Sequence, residues 1–121
     1  SKIKSMDKDV IKHIALSFPQ TSEQSHFEKP SYRIGKKIFA TYNLKENRIC
    51  VKLSEIDQNV FSSFDPTVIY PVPNKWGKQG WTLVNLETIS NELLYDALLA
   101  AYCEVAPKKI SDAFIKTLGD R

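Results

Sequence analysis

Ser31–Leu53, SYRIGKKIFATYNLKENRICVKL, decides the fold. Apolar and polar side chains alternate along it with a period of two, the spacing of strands that bury one face. Gly35-Lys36 interrupts the alternation where a tight hairpin needs a residue free to adopt an unusual backbone angle. Lys45-Glu46-Asn47 interrupts it again. The stretch therefore reads as three antiparallel strands in a meander. Taken strictly, the alternation points Ile38, Ala40, Tyr42, Ile49, Val51 and Leu53 to one face. It points Lys37, Phe39, Thr41, Arg48, Cys50 and Lys52 to the other, with Arg33 joining this second set. The expected open face thus carries Arg33, Lys37, Arg48 and Lys52 around Phe39. That suits contact with a phosphate backbone, and it equally describes an antiparallel sheet with one solvated face.

Outward from this stretch the period becomes helical. Val10, Ile11, Ile14 and Phe18 form a stripe on a first helix capped by Ser5 and stopped by Pro19. Residues 19–30 read as a polar connection. Ser54 with Asp57 resembles a capping box for a short helix over residues 55–62, broken at Asp65-Pro66. Residues 67–70, TVIY, form a fourth strand whose far end Pro71 and Pro73 confine to a rim. Residues 81–86, WTLVNL, form a fifth. Ser90 caps a long helix with Leu94, Ala97, Leu98, Ala101 and Val105 on one face. After Pro107, a last amphipathic helix ends at Gly119. The order α-β-β-β-α-β-β-α is not the strand–helix alternation of parallel folds. It implies an α+β domain spanning residues 1–121, with two layers and a mostly antiparallel five-stranded sheet carrying helices on one face.

Composition narrows the function. With 42% apolar and 26% charged residues, the 121-residue chain is an ordinary globular domain. No apolar run suits a membrane span. The lysine-bearing N-terminus has no apolar core after it, so no secretory signal is expected. Cys50 and Cys103 lack zinc or disulfide spacing, and are expected as free thiols in a reducing cytoplasm. The net charge of +3 is modest, yet Lys29–Lys45 and Pro66–Leu86 are free of acids. Catalysis finds little support. His13 and His26 are the only histidines, no nucleophile elbow or Walker loop occurs, and the acids are scattered over helix faces. No catalytic residue, metal ligand or cofactor is expected.

The segment Pro71–Trp81, PVPNKWGKQGW, combines Lys75 and Lys78 with Trp76, Trp81 and two glycines. Trp76 offers a surface for stacking, while Trp81 begins a strand and is expected in the core. A stiffened structural corner and a functional rim remain equal readings of this segment. A ligand pocket beneath it, with His26 and Trp76 at the rim, is a further possibility.

Five segments in order carry a resemblance to a known family: LSFP at 16–19, HFEKPSYRIGKKIFA at 26–40, VKLS at 51–54, KWGKQGWTLV at 75–84 and VAPKK at 105–109. They resemble the YjbR/MmcQ family of small bacterial proteins. The resemblance implies a fold similar to type III secretion chaperones and no established enzymatic activity. It also implies DNA as a partner, through a proposed double-wing motif. Carried onto this chain, the implied contacts are Lys29, Lys36, Lys37, Lys75, Lys78, Lys108 and Lys109, with Trp76; the face analysis adds Arg33. Glu28 lies among them as an opposing charge. The alternative is a protein partner or a second copy bound by a chaperone-like surface.

Overall fold

A computed structural model of the chain describes residues 8–119. The proposed Ser5 cap lies outside them. Helix α1 (Lys8–Leu16) leads into β1 (Thr21–His26), β2 (Lys29–Ile34), β3 (Lys37–Asn43) and β4 (Arg48–Lys52). Helix α2 (Glu55–Phe64), β5 (Ile69–Pro71), a single turn α3 (Lys75–Lys78) and β6 (Trp81–Asn85) follow. Helices α4 (Asn91–Val105) and α5 (Lys108–Gly119) complete the order. The sheet is antiparallel throughout, in the spatial order β1-β2-β3-β4-β6-β5.

The α+β architecture and the antiparallel sheet match the reading from sequence, with six strands in place of five. The extra strand is β1, in the stretch read as a polar connection. Its sequence TSEQSH has no apolar side chain to give away a strand, and its ladder to β2 supplies the backbone partners that hold it. Gly35, at φ 62°, makes the β2–β3 turn as expected. Ser54 accepts the Asp57 amide at 3.1 Å, and Ser90 accepts the Leu93 amide at 3.1 Å.

A bulge corrects the assignment of faces. Tyr32 pairs with Ala40, but Arg33 pairs with Ile38, leaving Phe39 as the extra residue of β3. The bulge turns Phe39 into the core, where it is fully buried. Ile38 takes its place on the open face beside Arg33. The driving force is aromatic burial. Phe39 lies 6.3 Å from Phe18 and 5.8 Å from Tyr102, ring centre to ring centre, and burying a side chain of this size stabilises by roughly 1.5–3 kcal/mol. Two of the expected open-face cations also move. Lys37 pairs with the buried Ile34 and so shares the helix-side face. Lys52 reaches Glu104 on α4 at 4.0 Å.

The core lies between the sheet and α4, whose Leu94, Leu98, Ala101 and Tyr102 are fully buried. Tyr102 donates its hydroxyl hydrogen to the Pro19 carbonyl at 2.8 Å, tying α4 to the end of α1. Among the described residues, no helix is long and apolar enough to cross a membrane.

Candidate functional site on the open sheet face

One row of side chains crosses all six strands on the face away from α4. Register places Gln24, Ser31, Thr41, Cys50, Leu83 and Tyr70 opposite one another in turn. The Pro71–Trp81 segment folds over part of this row. Its single turn α3 is capped by Asn74, whose side-chain oxygen accepts the Trp76 amide at 2.8 Å. The Val72 amide donates to the Trp81 carbonyl at 3.0 Å, and the Gly80 amide to the Gly77 carbonyl at 3.0 Å. From beneath, the buried Gln58 of α2 donates through Nε2 to the Gly77 carbonyl at 2.9 Å and to Thr82 Oγ1 at 3.0 Å.

The glycines of this segment serve the packing of backbone on backbone. A Cβ on Gly77 would stand 2.0 Å from the Val72 carbonyl oxygen. A Cβ on Gly80, whose φ is 107°, would stand 2.1 Å from the Leu53 carbonyl oxygen. Such approaches are open only to glycine.

Between this segment and the sheet lies a concavity of about 380 Å³. Ile38, Thr41 and Cys50 form its floor; Val72, Trp76 and Trp81 wall it, and His26 closes one side. Trp81 begins its strand as expected, but its side chain lines this concavity instead of joining the core. Trp76 is half exposed, and Lys75 Nζ sits 5.8 Å from the centre of its ring, within the range of cation–π attraction. At the tip of the β1–β2 hairpin, Phe27 and Glu28 both adopt the left-handed backbone conformation, with φ 52° and 67°. That costs on the order of 1–2 kcal/mol per residue. Phe27 is 86% exposed and its ring meets His26 edge-on at 4.6 Å.

A second concavity of about 310 Å³ shares Thr41 and Cys50 with the first. Lys29, Asn43, Glu46, Arg48 and Leu83 complete it. Arg48 is ion-paired with Glu46 and donates to the Tyr70 hydroxyl at 3.3 Å. The Tyr70 bond first, and Glu46 second, hold its guanidinium still more firmly charged than usual. Cys50 responds to the same surroundings. Burial pushes its thiol up to about 11, against the smaller opposing pull of the Thr82 backbone, Arg48 and Lys29. The thiol is therefore neutral near pH 7.

The structure gathers part of the sequence-derived set. Lys29, Arg33, Lys75 and Trp76 stand on or around the open face, with Lys78 on the same single turn α3. Arg33 Nε donates to Ser31 Oγ at 3.1 Å. Lys36 and Lys37 are exposed at the β2–β3 turn. Lys108 and Lys109 begin α5, which packs on α4 in the helix layer, and Lys108 pairs with Asp112 at 3.5 Å. These two do not join the open face. Glu28 lines a separate surface with Lys8, Glu23 and Pro30. His13 is exposed on α1. Sequence alone does not assign Ile38, Thr41, Cys50 or Phe27 to a site. The bulge conceals Ile38, whereas Phe27 lies inside the HFEKPSYRIGKKIFA segment at 26–40. Among the described residues, no cluster of three or more metal-ligating side chains occurs.

The model of the YjbR family matches residues 16–104. The chain belongs to the YjbR family. The match runs from the end of α1 to the end of α4, and so takes in the whole sheet and both concavities of its open face. A YjbR-like neighbour among solved structures is the Deinococcus radiodurans protein DR2400, with family-model domain DUF419. It is 23% identical, has a TM-score of 0.71, and is matched over 92% of this chain and 86% of its own. At that identity the likeness shows a shared fold. No curated protein matches the chain.

Proposed function

We propose that this YjbR chain is a non-enzymatic, cytoplasmic binding domain that holds nucleic acid weakly and without sequence preference, using its open sheet face. The observation that carries the reading is the company kept by Trp76. A half-exposed indole with Lys75 over its ring flanks a sheet face bearing Lys29, Arg33 and Arg48. Cations contact phosphates whatever the sequence, and an exposed ring stacks on any base. The two cysteines, both free thiols, suit a reducing compartment.

Titration of labelled oligonucleotides at low salt tests this. Two unrelated sequences should bind alike, and affinity should fall steeply as salt rises. Lys75→Glu with Lys78→Glu, and Lys29→Glu with Arg33→Glu, should weaken both equally. Lys108→Glu with Lys109→Glu, on the helix side, should change little. Absence of binding at low salt, or indifference to the open-face reversals, rules the reading out.

A specific observation favours a second reading, a protein-interaction surface. Ile56, Val60 and Phe64 recur at i, i+4 and i+8 on α2 and are 74%, 61% and 74% exposed. An exposed apolar stripe of this length is a recognised mark of a protein contact. Light scattering across a concentration series distinguishes the two. Self-association that Val60→Lys abolishes would support the stripe as an interface between copies.

A further inference from the structure

The two concavities of the open face differ in chemistry and meet at Thr41 and Cys50. One is walled by Trp76, Trp81, Ile38 and Val72, with few polar groups: the Thr41 hydroxyl, the Cys50 thiol and the His26 imidazole. The other presents Lys29 and Arg48. We propose that together they form a nucleotide site, in which a heteroaromatic ring enters the apolar half against Trp76 and its phosphate lies at the Lys29–Arg48 end. This rests on the nucleic-acid reading and deepens it. The chain would hold an unpaired nucleotide by its ring as well as by its backbone.

Three observations support the assignment. The apolar half is preformed: Gln58 and the paired backbone of the segment fix α3 over the sheet, so little ordering accompanies binding. Its few polar groups suit hydrogen bonds to a ring edge, and the neutral thiol adds no anion to repel a phosphate. Finally, Lys29 and Arg48 line the second concavity together with Thr41 and Cys50, the residues it shares with the first, so their charge lies within one ligand's reach of the apolar half. One group opposes the phosphate: the Glu46 carboxylate, paired with Arg48. An incoming phosphate competes with Glu46 for that guanidinium. Phe27, exposed beside His26, offers a second platform for the next base of a strand.

Calorimetric titration of the intact chain provides the test. The probes are AMP, UMP, adenosine, inorganic phosphate, a single-stranded octanucleotide and its fully abasic counterpart. Inorganic phosphate should not bind, the two monophosphates should behave alike, and with a strand as the source the octanucleotide should bind roughly tenfold more tightly than the abasic strand, as expected for one stacked base. Trp76→Ala should remove that tenfold while leaving the abasic strand unaffected, and Trp76→Phe should restore part of it. Glu46→Gln should tighten AMP severalfold and leave adenosine unchanged. A base-dependent gain on the octanucleotide, with no binding of free monophosphates, supports the site with a strand as its source. Binding of monophosphates alone supports it with free nucleotides as the source, and counts against the backbone reading. Equal binding of base-bearing and abasic strands, with no binding of monophosphates, overturns the nucleotide site while the salt-dependent backbone reading stands. Indifference of every nucleotide probe to Trp76→Ala overturns it as well.

Discussion

Gly77 lies directly against Val72, so close that a Cβ on the glycine would sit 2.0 Å from the Val72 carbonyl oxygen. The contact is backbone on backbone, and no side-chain movement relieves it. Gly77→Ala should therefore destabilise the domain by about 1–3 kcal/mol, the usual range for overpacking. Gly35→Ala meets nothing within 4 Å and bears only its left-handed φ of 62°, so about 1 kcal/mol is expected. Urea unfolding of the two variants should rank them in that order.

Gln58 is the buried strut beneath the same segment. Replacing it with leucine removes the donor that serves the Gly77 carbonyl and Thr82 Oγ1. The Gly77 carbonyl keeps the Gly80 amide but loses its Gln58 partner, at a cost of about 0.5–1.5 kcal/mol. Hydrogen exchange should show faster opening of the Gln79 and Gly80 amides, which close the α3 turn, with less change at the β2–β3 ladder.

The bulge gives a test of its own. Phe39→Ala should cost about 3–5 kcal/mol, as loss of a buried aromatic does. Phe64→Ala, at 74% exposure, should stay within about 0.5 kcal/mol of the parent. A strict two-residue alternation would have made Phe39 a surface residue and its loss mild. Thermal unfolding of the two alanine variants separates the alternatives.

Alkaline pH should weaken the fold. The Cys50 thiol titrates at about 11 in the folded chain against an ordinary 9.0, and burial raises Tyr32 as well. Below about pH 9 both states keep the Cys50 proton and nothing is lost. Above it the unfolded chain releases the proton first, so stability falls as pH rises through the folded value. Cys50→Ala should flatten the slope between pH 9 and 11 in urea melts. The same burial should leave Cys50 slow to alkylate at pH 7.5 in the native state.

Four of the helices, the caps at Ser54 and Ser90, and five of the strands are legible because each writes a local pattern: Ser54 and Ser90 before their helices, Gly35 at its turn, paired periods in β4 and β6. Two features are not. Strand β1 is held by its ladder to β2, and TSEQSH has no alternation of its own to read. The bulge at Phe39 answers to Phe18 and Tyr102, residues 21 and 63 positions away in the chain. Only the folded core specifies which of Ile38 and Phe39 turns inward. The site inherits that limit. Trp76 and the lysines announce themselves in Pro71–Trp81, but the floor beneath them depends on the bulge, and the separation of Lys108 and Lys109 from it depends on which layer α5 joins.

The two borders of the sheet bear on how this molecule meets its neighbours. At one border stands β1, polar along its whole length; at the other stands β5, three residues ending in Pro71. Neither offers the long, apolar row of free amides and carbonyls on which a further strand would nucleate. Both borders thus have features that disfavour strand addition: polarity at β1, shortness and a proline at β5. What the fold leaves open are its two broad surfaces, the aromatic trough and the greasy ridge of α2.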